Sequence, residues 1–77
     1  MDIKDVRLVV ENHLKYLGIE GLARIASAKF YKGYWSVVIV YSRDIEIGDK
    51  KQKTGIIAWL IINDSTSKIE AFKENPT

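Results

Sequence analysis

The apolar positions of this chain change their period near its first glycine. From Asp2 to Leu17 the residues Ile3, Val6, Val9, Val10, His13, Leu14 and Leu17 recur at helical spacing, while Lys4, Asp5, Glu11, Asn12 and Lys15 take the opposite side. That stripe predicts one amphipathic helix. Its ends carry matching signals: Asp2 can cap the first turn, Asp5 adds negative charge where the helix dipole favours it, and Gly18 follows as a C′ glycine would. Leu8 alone falls among the charged positions, which makes it an exposed residue or a minor contact point.

After a turn at Gly18 to Gly21 the period shortens to two. A first strand is predicted from about Leu22 to Lys32, with Leu22, Ala26, Ala28 and Phe30 on one parity and Ala23, Ile25 and Tyr31 on the other. Its alanines would tolerate a helix. Strand is preferred because Lys32 and Gly33 then form a short hairpin turn into the strongest strand, Tyr34 to Ile47. Asp49-Lys50-Lys51-Gln52-Lys53, flanked by Gly48 and Gly55, reads as a hairpin loop before a third strand from Thr54 to Ile62. Turn formers fill Asn63 to Ser67, and Ser67 to Glu74 gives a last strand in which Ile69, Ala71 and Lys73 alternate against Lys68, Glu70 and Phe72. Pro76 ends any ladder, and residues 75–77 are expected to fray. The order predicts an α+β fold in a single domain, 1–77: a two-layer sandwich with the N-terminal helix packed on a four-stranded antiparallel sheet, α-β-β-β-β.

The two long strands are apolar on both faces. Trp35, Val37, Ile39, Tyr41, Ile45 and Ile47 oppose Tyr34, Val38 and Val40, and Ile56, Ala58, Leu60 and Ile62 oppose Ile57, Trp59 and Ile61. Such strands need cover on both sides, and one helix covers one. The other face is expected to meet a second copy, a ligand or a partner, with Trp35, Val37, Ile39, Tyr41, Ile57, Trp59 and Ile61 as interface candidates. Length points the same way. A chain of 77 residues without cysteine has a small core and no disulfide to reinforce it, so a homodimer is the expected source of further stability.

Charge and chemistry narrow the function classes. A charged fraction of 29%, an apolar fraction of 47% and a net charge of +2 describe a folded domain that is only mildly basic. The first residues lack the apolar run of a signal peptide, and no stretch has transmembrane length, so a cytoplasmic protein without membrane contact is expected. Abundant Ile, Lys and Glu with a single Gln resemble thermophile composition. His13 is the only histidine, which leaves neither a nucleophile–base pair nor a metal cluster in view. Asp44, Glu46 and Asp49 read as solvated charges, and Asn63 to Thr66 as an Asx-type turn in place of a cation loop. No glycine-rich phosphate loop is present. The expectation is therefore a non-enzymatic module without cofactor or metal that self-associates and recognises a protein or peptide, in one form by strand addition at an open edge. The alternative is a small archaeal-type nucleic-acid-binding protein: Lys50, Lys51 and Lys53 at the loop and Lys29 and Lys32 beside Phe30 and Tyr31 would meet phosphates, with Tyr34, Trp35 or Trp59 stacking bases. Asp44, Glu46 and Asp49 lie close enough in sequence to dilute the loop lysines' field.

The run Tyr34-Trp35-Ser36-Val37-Val38-Ile39-Val40, followed by Ala58 to Phe72, resembles the small PepSY and cystatin-like α+β modules. In those modules a W-x-V-x-V strand precedes a V-x-I-D-x-x-T-G-x-I hairpin. Here Asn63 displaces the usual Asp by one position and Ser67 stands where the family prefers Gly. The resemblance spans most of the chain and implies a binding or inhibitory module, with no catalytic residues to carry over.

Overall fold

The computed structural model describes residues 1–19 and 23–76, the last through its backbone. One helix, α1 (Ile3–Tyr16), is followed by four strands, β1 (Arg24–Tyr31), β2 (Tyr34–Ile47), β3 (Lys50–Asn63) and β4 (Ile69–Pro76), in one antiparallel sheet of order β1-β2-β3-β4. The fold is the expected α-β-β-β-β arrangement. Gly21, Leu22 and Thr77, to which the sequence assigned a turn, a strand start and a frayed end, lie outside the described residues.

Both ends of α1 are closed by local hydrogen bonds. Asp2 Oδ1 accepts from the backbone N–H groups of Lys4 (2.9 Å) and Asp5 (3.1 Å), and Asp5 Oδ2 accepts from the Asp2 N–H (3.0 Å), a reciprocal capping box. At the far end Gly18 adopts φ +77°, where its N–H reaches the Lys15 carbonyl and the Ile19 N–H reaches Leu14. This is a Schellman cap, and it turns Ile19 into the core. The stripe buries Val6, Val10 and Leu14, with Val9 and Leu17 half-buried. Ile3, which belongs to the stripe by spacing, is instead 51% exposed because it occupies the first position of the helix, at the edge of the sheet contact. Among the described residues no helix is long and apolar enough to cross a membrane.

Tight turns set the register of the sheet. Lys32 and Gly33 both have positive φ, the type I′ pattern, and pair Tyr31 with Tyr34. Gly48 has φ +63° and Asp49 does not, the type II′ pattern with glycine first. The segment Lys50–Lys53, expected in a loop, is therefore strand: Ile47 pairs with Lys50 and the ladder runs unbroken to Tyr34 opposite Asn63. The glycine forms the turn in two residues, and the charged run pairs with the end of β2. Two edge bulges also change the expected parities. Ala26 has no partner between the pairs Ile25–Ile39 and Ser27–Val38, so Ile25 joins Ala28 on the helix side. Glu70 is the extra residue between Ile61–Ala71 and Ile62–Ile69, so Ile69 and Phe72 share the helix side. Asn75 and Pro76 remain paired with Ile57 and Ile56, so the ladder reaches further than the proline suggested. Proline is tolerated at such a place because an edge strand can turn the position of its missing N–H away from the neighbouring strand.

The core is one layer. Val37, Ile39 and Tyr41 from β2 and Ile56, Ala58, Leu60 and Ile62 from β3 are buried beneath Val6, Val10 and Leu14. His13 packs its ring on Phe72, 4.7 Å between centroids. Leu14→Ala should cost about 2–5 kcal/mol, because the site is closed on all sides. Leu8→Ala should cost within about 0.5 kcal/mol, since Leu8 is 57% exposed. Paired urea melts of the two variants test this, and equal losses would mean that α1 is covered on both faces.

Candidate functional site

Among the described residues no helix or strand covers the face of the sheet opposite α1. Alternation and register place Val38 and Val40 of β2, Ile57, Trp59 and Ile61 of β3, and Ala71 of β4 there together. They form neighbouring rows across the sheet: Lys29–Ser36–Ile61–Ala71, Ser27–Val38–Trp59–Lys73 and Arg24–Val40–Ile57–Asn75. Each row is apolar at or beside its centre and carries one cation on an edge strand. Trp59 is 40% exposed, and Tyr31 and Tyr34 pair at the end of the same face, both exposed.

The seven residues proposed from sequence as one interface divide between two faces. Ile57, Trp59 and Ile61 are on the open face, whereas Val37, Ile39 and Tyr41 lie in the core and Trp35 packs against it. A two-residue turn pairs odd β2 positions with even β3 positions, so Trp35 is opposite Ile62 and Val37 opposite Leu60. Trp35 is held on the helix side, where its Nε1–H donates to Asp64 Oδ1 at 2.9 Å and its ring tilts on Phe30 at 5.3 Å. The partners of the open-face trio, Val38 and Val40, were missed as candidates. Their signal was present in the sequence, since they oppose Trp35 and Val37 in parity.

The lysines divide as well. Beyond Tyr41 and Ile56 the β2–β3 ladder continues as a two-stranded arm toward the Gly48 turn, with no third strand paired to residues 42–54 among the described residues. On it Lys53 is directly opposite Asp44 and Lys51 opposite Glu46, so these cations lie beside carboxylates. Lys50 faces Ile47 at the tip. Lys29 is on the open face of the body, and Lys32 is in the first turn with its Nζ 5.3 Å above the Tyr31 ring. The five do not form one basic surface. Arg24 and Lys73, absent from that set, join Lys29 around the apolar rows.

The turn Asn63 to Ser67 is closed on itself. Asn63 Oδ1 accepts from the Ser65 and Thr66 N–H groups at 2.9 and 3.2 Å, and Ser67 has φ +59°, the left-handed conformation a glycine would adopt most easily. Among the described residues no group of three His, Cys, Asp or Glu side chains is placed to hold a metal ion. A shallow groove beside α1 brings His13 near Ser67 and Lys68, but no hydrogen bond joins His13 to Ser67 among the described residues. Each edge strand carries one bulge, at Ala26 in β1 and at Glu70 in β4.

At the base of the arm Arg43 Nη1 donates to both carboxylate oxygens of Glu74, at 3.2 and 3.0 Å, and ties β2 to β4 on the helix side. Next to them the Tyr41 hydroxyl is buried without a hydrogen-bond partner among the described residues. Burial pushes its pKa above the ordinary phenol value, and the nearby Glu74 carboxylate raises it further while Arg43 opposes the rise.

No family model, no curated protein and no solved structure matches the chain. The Tyr41 environment makes a prediction of definite sign. Below pH 10 the raised pKa costs nothing, because both states are protonated; above it the unfolded tyrosine ionises near the ordinary phenol value of 10.0 and the folded one does not, so stability falls. Tyr41→Phe should be as stable as the parent or more so at neutral pH, since it removes an unbonded buried hydroxyl. It should also lose less stability between about pH 10 and 11. Denaturant melts across that range test the idea, and parallel losses in both proteins would refute it.

Proposed function

We propose that the protein is a non-enzymatic binding module that self-associates through the open sheet face and recognises a protein or peptide partner with the same surface. One observation carries this reading. The uncovered rows of Val38, Val40, Ile57, Trp59, Ile61 and Ala71 form a continuous apolar area on the far side of the sheet from α1. Contiguous apolar area of this kind marks an interaction surface. The four-stranded part of the face, Trp35 to Val40 along β2, measures roughly 20 Å by 20 Å from strand spacing and rise. Two copies laid face to face would bury on the order of 800 Å², the size of a weak or transient interface. The small size of the chain, without cysteine to cross-link it, adds weight to association.

Single-stranded nucleic acid is a second reading, favoured by Tyr31, Tyr34 and Trp59 exposed on the face that also carries Arg24 and Lys29. Bases can stack on such side chains while phosphates meet the cations. The aliphatic rows speak against it, because stacked bases would leave Val38, Val40, Ile57 and Ile61 without an apolar neighbour.

Sedimentation at micromolar concentration should show a dimer, and Trp59→Lys should convert it to monomer with an unchanged circular dichroism spectrum. The cations of one copy face like charges on the other, so raising salt from about 0.05 to 0.5 M should strengthen the dimer by screening them. A wild-type chain that sediments only as monomer throughout would refute self-association.

A further inference from the structure

The ladder places charge of one sign on the edges of the open face. Among the ladder-paired residues of the four-stranded body, Arg24, Lys29 and Lys73 are its charged side chains, and Glu70, the bulge residue of β4, stands outside the ladder. All three are exposed, two on the β1 edge and one on the β4 edge, with the apolar rows between. Asp44 and Glu46, which the register also places on this side of the sheet, are on the arm, where each is opposite its own lysine. A second copy therefore complements the apolar rows but not the charges. An isologous contact sets a patch against itself, and a cationic rim then meets a cationic rim.

We propose that the preferred occupant of the open face is an amphipathic helix of another protein, apolar along one stripe and flanked by Asp and Glu, which displaces the second copy. The proposal rests on the reading of the open face as the binding surface, and it names the partner's chemistry. Two central strands present an apolar band about 10 Å wide, the diameter of one helix with its side chains. The body's rows extend about 20 Å or more along the strands, enough for roughly fourteen helical residues. The other face of the sheet already carries such a ligand in α1, whose 14 residues cover the same two strands. Acidic groups flanking the partner's stripe would reach Lys29 and Arg24 on one side and Lys73 on the other. A nucleic acid would meet the cations and leave the aliphatic rows wet, whereas an acidic helix satisfies both.

The test uses the full chain and three fluorescent probes. The first is a helical peptide of about 18 residues with a Leu stripe flanked by Glu. The second has every Glu replaced by Lys, and the third is an oligo-dT of about 20 nucleotides. Fluorescence anisotropy should show the Leu/Glu peptide binding at least about tenfold more tightly than the Leu/Lys peptide, and weakening as salt rises, opposite in sign to the dimer. Sedimentation of the mixture should show dimer replaced by a one-to-one complex. The double variant Lys29→Glu, Lys73→Glu should reverse the preference, binding the Leu/Lys peptide better. Gain of that binding shows that the variant is folded.

Equal binding of both peptides overturns the proposal, as does a double variant that keeps the wild-type preference. Oligo-dT that binds tightly and competes with the Leu/Glu peptide overturns it in favour of nucleic acid. A wild-type monomer that nevertheless binds the Leu/Glu peptide refutes self-association and supports the proposal. A dimer that neither peptide disrupts refutes the proposal and leaves self-association standing.

Discussion

The register of the β2–β3 ladder decides which side chains α1 covers and which it leaves outside. Because strand side chains alternate with period two, a shift of one residue would carry Ile56, Ala58, Leu60 and Ile62 to the open face and bring Ile57, Trp59 and Ile61 beneath the helix. Either set is apolar, so hydrophobicity alone penalises the slip weakly. Shape and turn geometry choose between them. Gly48 takes the positive φ that a type II′ turn needs at its first position, and it locks Ile47 opposite Lys50. The buried set includes Ala58, a small side chain within the same core cluster as the helix residues, where a residue the size of Trp59 would need far more room. One glycine thus determines the composition of the open face more than forty ångströms of ladder could by itself, at about 3.4 Å for each of its residues.

The edge strands adapt to that central pair. Each inserts one residue, Ala26 in β1 and Glu70 in β4, and each insertion brings two apolar side chains to the helix side that strict alternation would separate. A bulge also twists its strand and breaks the row of free edge groups, which discourages sheet-to-sheet pairing. The exposed area of the molecule is thereby directed to a face and away from its edges. The arm follows a different logic. Lys51 and Lys53 are opposite Glu46 and Asp44 across the strands, so this ribbon is near neutral where the isolated sequence suggested a basic tip.

Much of this was legible in the chain. The capping box, the apolar stripe and the C′ glycine all specify α1, and they agree because each is a local signal read within a turn or two. The bounds of β2 were legible for the same reason, fixed by Lys32-Gly33 before it and Gly48 after it. What escaped was relational. The parity that faces the helix depends on two strands paired through a turn, and with both parities apolar no single strand discloses it. Bulges leave no mark except a weakened alternation, as in Arg24 to Tyr31, where alanines also imitate a helix. Lys50 to Lys53 looked like a loop because charge is common in loops, yet Glu46 and Asp44 supply the opposing charges that allow the run to be strand.

Electrostatics and burial make different demands on the open face. Burial of Val38, Val40, Ile57, Trp59 and Ile61 supplies attraction that any apolar surface could provide, a second copy included, and so discriminates poorly among partners. Arg24, Lys29 and Lys73 contribute little affinity while hydrated, because exposed charges are screened and their side chains are mobile. Their effect is on selection. Against an acidic flank they accelerate encounter and hold register, and against their own copies they impose a repulsive cost that rises as the faces close and water leaves. On the proposed reading, a face built this way would accept a second copy but discriminate in favour of an acidic partner. That discrimination depends on the absence of a carboxylate among the body's rows, since one glutamate at Ser27 or Ser36 would give a second copy the complementary charge that it lacks.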